Sequence, residues 1–236
     1  MTRKGMTVVG LGLAWALLLA ACGRPAPLQL AEPWAAGEVS VLELSQRGQV
    51  IGTLTLKVQR EEDMWVLITE TTAGNFFERA AVWARPGSLE PTRVEFEAEG
   101  PAGRVTYTAT YGSAEVTIRA QRPDGPQEAT VKLPAPPYYD NEQFIALLRA
   151  LPLRQGWKGT FNVIVTRAAS KAQLTVEVVG KETVRTAVGD VEAWKLELKG
   201  ANQFGWVEVD PPHRLVRYEN VAAGTVSLLK EYRAGE

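Results

Sequence analysis

Residues able to carry acid–base chemistry are few in this sequence. His213 is the single histidine among the 236 residues, and it follows Asp210 in the run Asp210-Pro211-Pro212-His213-Arg214. A histidine beside a carboxylate can act as a general base or bind a metal ion. Because no Gly-x-Ser-x-Gly nucleophile motif accompanies this pair, we interpret His213 as a polar residue in a hairpin loop.

Closely spaced carboxylates are the second candidate for chemistry. Glu95, Glu97 and Glu99 alternate along one segment, and Glu208 lies two residues before Asp210. Paired acids catalyse glycoside hydrolysis, but side chains two residues apart share one face of a strand, and a solvated face explains these acids better. Calcium loops and glycine-rich phosphate loops have no counterpart in the sequence. We therefore expect no catalytic residue, no metal site and no cofactor.

The one cysteine of the chain, Cys22, offers a different chemistry. It ends the run Leu19-Ala20-Ala21-Cys22, which resembles the lipobox of bacterial lipoproteins. In those proteins the thiol receives a diacylglycerol, and the peptide is cut just before the cysteine. Two or more acyl chains, such as palmitate, give stable anchoring, whereas one chain gives marginal binding. We therefore predict lipid attachment at Cys22, with a membrane as partner.

The residues before Cys22 have the pattern of a secretory signal. Arg3 and Lys4 come first, and an apolar run over residues 7–21 follows. This run is shorter than the roughly 20 residues that span a bilayer. We predict that residues 1–21 are a helical signal peptide, residues 22–37 a flexible tether and residues 38–236 the folded domain. The protein would be exported and face the periplasm or the cell exterior.

The composition limits the classes of partner. Lys and Arg number 26 against 27 Asp and Glu, and no basic block occurs, so the electrostatic footprint of nucleic-acid binding is missing. A hydrophobic share of 45% suits a folded domain rather than a disordered chain. A single cysteine excludes a disulfide within the chain.

The elements that would position functional residues are mainly strands. Apolar and polar residues alternate over many short segments, as is typical of antiparallel strands with one buried face. Turn signals such as Pro123-Asp124-Gly125 recur about every ten residues and predict successive hairpins. We predict a mostly β fold of about a dozen strands. They would form a large curved antiparallel sheet, half-barrel or sandwich-like, ordered mainly as a meander.

One segment breaks this alternation and predicts a short helix. Residues 141–151 carry apolar side chains at helical spacing. Asp140 is a candidate N-cap, Gln143 follows three residues later as in a capping box, and Pro152 would end the helix. This helix would pack on the concave face or an end of the sheet.

Aromatic side chains near this helix are the remaining candidates for ligand contact. Phe76-Phe77 follows a Gly-Asn turn, and Tyr138-Tyr139 precedes the helix. Core packing is the usual role of such side chains. If the sheet holds a pocket, the candidate ligand rim is Phe76, Phe77, Tyr138, Tyr139, Phe144 and Leu148.

Several short motifs resemble a known bacterial family. They include Leu89-Glu90-Pro91-Thr92, Leu151-Pro152-Leu153, Val178-Val179-Gly180-Lys181-Glu182, Ala193-Trp194-Lys195 and Leu215-Val216-Arg217-Tyr218-Glu219. Together they resemble domain of unknown function 3108, over most of residues 37–233. The resemblance implies an exported protein or lipoprotein with antiparallel sheets. More remotely, the family is similar to half-barrel lipoprotein carriers, whose curved sheet holds an apolar cavity.

Three functions remain open at this level. The first is a non-catalytic, membrane-anchored binding module for an apolar ligand or peptide. The second is a structural or assembly protein of the envelope that pairs with a partner protein through a sheet edge. The third, and least favoured, is an enzyme acting on envelope polymers, because no acid–base set stands out.

Overall fold

The computed structural model describes residues 30–236. The predicted signal helix, Cys22 and the first part of the predicted tether lie outside these residues. None of the helices within residues 30–236 has the length and hydrophobicity needed to cross a bilayer.

Within residues 30–236, alternating side chains form fifteen strands, more than the dozen expected. The first eight are β1 (Val39–Gln46), β2 (Gln49–Glu61), β3 (Met64–Ala73), β4 (Phe76–Ala84), β5 (Pro91–Gly100), β6 (Gly103–Tyr111), β7 (Glu115–Arg122) and β8 (Gly125–Lys132). The others are β9 (Tyr138–Asp140), β10 (Lys158–Val165), β11 (Ser170–Thr186), β12 (Gly189–Lys199), β13 (Gln203–Glu208), β14 (Leu215–Asn220) and β15 (Thr225–Arg233).

All strands belong to one sheet with the order β8-β7-β6-β5-β4-β3-β2-β1-β15-β14-β13-β12-β11-β10-β9. Two meanders therefore meet where β1 pairs with β15. For the part of the chain that the structure describes, the predicted mostly β class is confirmed, as are the large sheet and its single short helix. Within residues 30–236 the one parallel pair is β9 with β10, because the helical connection between them acts as a crossover.

The sheet curls until its β9–β10 end lies against the inner face of β4–β8. Tyr111 of β6 stacks on Tyr138 of β9, with ring centroids 6.0 Å apart. Ile164 of β10 packs in the same cluster as Val94 of β5. A larger cluster, the inner core, fills part of the curl itself. In the described chain β8 and β9 remain the two edges, so the sheet is not closed by hydrogen bonds.

The helical segment inside the curl covers residues 141–150 in three short pieces. They are a 3-10 turn (Asn141–Gln143), helix α1 (Phe144–Leu147) and a second 3-10 turn (Leu148–Ala150). The predicted capping box is present, with Asp140 as N-cap and Gln143 returning to its backbone. Leu151 is already extended, as expected for the residue before Pro152.

Residues 30–37, which belong to the predicted tether, pack on the domain in the described structure. Trp34 is only 6% exposed, and its ring lies edge-on to that of Trp65 at 6.2 Å. The backbone N–H of Ala31 donates to the carbonyl of Ala150 at 2.8 Å. Burial of a large aromatic ring fixes this segment.

A buried ion pair joins residues 30–38, which we call the N-terminal segment, to the helical segment. Arg149 pairs with Glu38, and both side chains are 2% exposed. The Arg149 guanidinium also donates to the backbone carbonyls of Pro212 and His213, each at 2.9 Å. This end of the curl, which we call the N-terminal end, is therefore closed by packing and by the ion pair, whose guanidinium also bonds two carbonyls. The buried indole N–H groups of Trp34 and Trp65 at this end have no hydrogen-bond partner among the described residues.

Candidate functional site

A cleft of about 840 Å³ occupies the other end of the curl, on the inner face of the sheet. The helical segment fills only part of the interior, where Leu147 and Leu148 are fully buried. Short side chains at Thr69, Thr71 and Ser227 leave the remaining space open. The cleft is therefore bounded by the start of the helical segment, where Asn141, Glu142, Phe144 and Ile145 line it.

The apolar wall of the cleft comes from strands on both sides of the helical segment. Phe144 and Ile145 of α1 contribute to it beside these strand residues. The strand members are Leu44, Leu54, Val163, Val165, Leu174 and Leu198. A concave, largely apolar surface of this volume is typical of small-molecule sites.

The mouth of the cleft lies among hairpin turns. Ala168 belongs to the turn after β10, Ala201 to the β12–β13 turn and Ala223 to the β14–β15 turn. Phe76, at the start of β4, is 37% exposed at the same end. The mouth is thus opposite the N-terminal end, because β3 begins beside Trp34 and finishes next to Phe76.

One wall of the cleft is charged. Arg167, after β10, donates to both carboxylate oxygens of Glu78 on β4, at 3.0 and 2.9 Å. The same guanidinium lies 3.4 Å from Glu142 of the helical segment. Three elements distant in sequence are therefore joined at the cleft by one arginine.

Behind the charged wall lies a fully buried carboxylate, Asp140. Its oxygens accept hydrogen bonds from the Tyr111 hydroxyl at 2.5 Å and from the Glu142 backbone N–H at 2.8 Å. The Tyr107 hydroxyl donates to the Glu142 side chain at 2.9 Å and lies 3.1 Å from the Thr166 hydroxyl. These bonds tie the helical segment to the overlapping end of the sheet.

Burial sets the electrostatics of this network. Loss of solvation raises the pKa of Asp140 from 3.8 to about 7, against the lowering effect of the Tyr111 hydrogen bond. Burial also raises the pKa of Glu142, although Arg167 opposes that shift. The pKa of Tyr111 is raised as well, by burial and by the neighbouring Asp140. Both tyrosines of the network therefore stay protonated as donors.

The network has few atoms free for catalysis. Asp140 is enclosed, and the Glu142 and Arg167 side chains are already paired. Within residues 30–236 no group of three or more His, Cys, Asp or Glu side chains could hold a metal ion. The arrangement is suited to fixing the cleft wall.

A second hollow, of about 650 Å³, lies on the outer face of β4–β8. Its lining is mostly charged and polar, and Arg119 and Glu128 within it pair at 3.0 Å. Since it offers little apolar surface, the inner cleft is the better candidate for a ligand site.

Comparison with protein families decides where this chain belongs. Residues 41–227 match the family described as protein of unknown function DUF3108. The chain belongs to the DUF3108 family. This confirms the resemblance drawn from the short strand motifs. A comparison with curated proteins found no match.

The fold of this DUF3108 protein is similar to that of a protein from Brucella abortus known from its crystal structure. That protein is described as a beta-barrel-like protein of domain of unknown function DUF1849. The TM-score is 0.55 over 86% of this chain and 99% of that chain, at 8% sequence identity. The likeness agrees with the expected half-barrel fold and carries no information on activity.

The residues expected to rim a pocket separate into three groups. Phe76 and Phe144 line the cleft of the DUF3108 chain. Phe77 points to the opposite face of β4, because neighbouring residues of a strand alternate. The remaining three, Tyr138, Tyr139 and Leu148, are buried in the two core clusters and do not line the cleft.

The residues weighed for acid–base chemistry lie away from the cleft. His213 is in the turn between β13 and β14, where its backbone N–H donates to the Asp210 carbonyl at 2.9 Å. Its ring nitrogen Nδ1 lies 3.1 Å from the Glu208 carbonyl oxygen. Glu95, Glu97 and Glu99 are on the outer face of β5, opposite the buried Val94 and Phe96.

Sequence reasoning missed the polar residues of the cleft. Glu78, Glu142 and Arg167 meet only in the folded chain, since Glu78 and Arg167 are 89 positions apart. The capping box was the one local signal that pointed to this region, because it identified Asp140. Tyr218 was noted only as part of a strand motif.

Proposed function

We propose that this protein is exported, lipid-anchored at Cys22, and acts as a non-catalytic module that binds an apolar ligand in the cleft. The observation that carries this proposal is the cleft of about 840 Å³ with its apolar wall. Its volume falls in the range of small-molecule sites, roughly 300–1,000 Å³. Packing of the N-terminal segment supports a fixed orientation of the domain relative to the anchor.

Ligand binding can be tested with an apolar fluorescent dye, N-phenyl-1-naphthylamine. The chain from residue 22 with Cys22→Ser keeps both core clusters and cannot be acylated. We expect saturable dye binding, reduced at least tenfold by Ala172→Trp, because Ala172 is exposed on the cleft lining. The matched control is Ala102→Trp in the β5–β6 turn, which should bind as the unsubstituted protein does. Absence of saturable binding would overturn the proposal.

Anchoring is tested separately in cells. Cys22→Ser removes the acceptor of the lipid, so the protein should fail to be processed as a lipoprotein and should carry no labelled palmitate. The readout is incorporation of radiolabelled palmitate, compared with the exposed-position control Ser88→Ala. Equal labelling of the Cys22→Ser protein would contradict lipid attachment at this residue.

A second candidate function is assembly through the free edge strand β8. Leu133, following β8, donates its N–H to the Ala114 carbonyl before β7, so alternate residues face β7. The backbone groups of Glu128, Thr130 and Lys132 then point away from the sheet. Such an edge can accept a strand of another protein. Pro126 and Lys132 are, however, residue types that discourage edge pairing, so the cleft proposal is preferred.

Crosslinking in cells separates the two functions. A photoreactive residue at position 130 should capture a protein partner if β8 is an assembly edge. The control is position 50, which is exposed on β2, a strand paired on both sides. Equal capture at both positions, or none at 130, contradicts assembly through β8.

A further inference from the structure

The polar groups of the cleft select the class of its ligand. We propose that this ligand is an uncharged amphiphile: an apolar chain that carries a neutral head group with hydroxyl or carbonyl oxygens. This inference rests on the proposed binding function and specifies its substrate class.

An anionic ligand would need a free basic side chain in the cleft. Among the described residues lining the cleft, Arg167 is the one basic side chain. Its guanidinium is bound by both oxygens of Glu78 and lies against Glu142. A carboxylate or phosphate head would have to displace one of these acids and would meet their negative charge at close range. The cleft therefore offers no unpaired cation to an acidic lipid.

A cationic ligand would need a free acidic side chain in the cleft. The two acids of the described lining, Glu78 and Glu142, are both engaged. Glu78 uses its two oxygens for Arg167, and Glu142 accepts from the Tyr107 hydroxyl at 2.9 Å. An ammonium head would compete with a guanidinium already in place. Neither sign of charge finds a free counterion.

Uncharged polar side chains of the cleft can hydrogen-bond a neutral head group. Gln203, Asn220 and Thr225 lie side by side across β13, β14 and β15, and all three line the cleft. Tyr218 lies on the same face, and its hydroxyl makes no hydrogen bond to another described side chain. Because Tyr218 lines the open cleft, its hydroxyl can donate to a carbonyl or hydroxyl oxygen of a ligand.

The uncharged polar side chains and the apolar wall line one and the same cleft. Leu174 and Leu198 line the same cleft, and Ile145 borders it from the helical segment. A ligand that satisfies both surfaces has an alkyl chain and an uncharged oxygen-rich head. Monoacylglycerols are the simplest molecules of this class.

The experiment compares three probes that share a twelve-carbon chain: monododecanoylglycerol, dodecanoate and dodecyltrimethylammonium. Their affinities are measured below micelle formation by displacement of N-phenyl-1-naphthylamine from the chain carrying Cys22→Ser. We expect the neutral probe to bind at least tenfold more tightly than either charged probe. Equal or tighter binding of a charged probe would overturn the inference while leaving the binding function intact. If the dye itself does not bind, the proposed function fails first.

Two variants test the physical cause. Tyr218→Phe should weaken monododecanoylglycerol about tenfold and leave dye affinity unchanged, whereas the control Tyr232→Phe, beside Arg214 at the N-terminal end, should change neither. Glu78→Gln removes the charge that holds Arg167, so dodecanoate should bind at least tenfold more tightly than to the unsubstituted chain. Failure of Glu78→Gln to improve dodecanoate binding would contradict the argument from paired charges.

Discussion

At the scale of single residues, Asp140 has two structural tasks and no free atom for a ligand. Its carboxylate caps the helical segment through the Glu142 N–H and accepts from Tyr111 on the overlapping strand. Tyr107, Glu142 and Arg167 surround it on the cleft side. Because burial raises its pKa from 3.8 to about 7, the folded state favours the protonated acid.

This shift predicts a pH dependence of stability. An acid whose pKa is raised on folding makes its full contribution to stability below the pKa that it has in the unfolded chain. That contribution falls as pH rises above the unfolded pKa, and it is lost as pH reaches the folded pKa of about 7. The unsubstituted chain should therefore lose stability between pH 5 and pH 8. Asp140→Asn cannot ionise and should lose less over the same interval. The measurement is the urea midpoint at both pH values.

Two further variants test whether Asp140 causes this pH dependence. Tyr111→Phe removes the hydrogen bond that lowers the pKa of Asp140 in the folded state, so the pH-dependent loss of stability should continue to higher pH. Asp124→Asn, in the exposed β7–β8 turn, should retain the pH dependence of the unsubstituted protein. A protein whose stability rises from pH 5 to pH 8, with no difference in Asp140→Asn, contradicts the assignment.

At the scale of elements, local patterns predicted the strands and the position of the helical segment. Apolar and polar residues alternate wherever a strand has one buried and one solvent-exposed face, as nearly every strand of this sheet does. The capping box located the start of the helical segment at Asp140. β9 was missed because it has three residues, all buried, so it shows no alternation. Burial of Trp34 has no local signal in the sequence, because it depends on contact with the distant Trp65.

The candidate site was predictable only in part, because its lining is assembled by the curl. Phe76 and Phe144 stand beside turn and helix signals, and both reach the cleft. Tyr138 and Tyr139 stand beside the same signals, but the overlap of the sheet ends buries them. Pairing of Arg167 with Glu78 depends on long-range topology and has no local signature.

The buried pair Arg149–Glu38 fixes how the N-terminal segment meets the helical segment. Both side chains are enclosed, so removing one leaves the other charged and unpaired. Arg149→Met should destabilise the fold by about 3–5 kcal/mol. The matched control is Arg119→Met, whose exposed pair with Glu128 should contribute about 0–1 kcal/mol. Both are measured by urea unfolding, and equal effects would contradict a special role for Arg149.

At the scale of the whole molecule, the curl separates the N-terminal segment, which would lead to the proposed anchor, from the cleft mouth. The N-terminal segment packs beside Trp65 at the start of β3, and the mouth lies next to Phe76, beyond the end of that strand. Ten residues of strand span about 33 Å at roughly 3.3 Å per residue. The eight residue steps from Cys22 to Leu30 reach at most about 29 Å when fully extended. In the proposed lipoprotein, the cleft would therefore open away from its own membrane.

This orientation can be measured because Cys22 is the only cysteine of the chain. Once its thiol is acylated, a new cysteine is the single site for a fluorescent label. Asp63→Cys, in the β2–β3 turn, marks the N-terminal end, and Ala223→Cys marks the mouth; both positions are exposed. In vesicles that carry the lipidated protein and a headgroup-linked quencher, we expect stronger quenching at position 63, because it lies on the anchored side. Equal or stronger quenching at 223 would mean that the cleft faces the bilayer, and a ligand would then enter directly from the anchoring membrane.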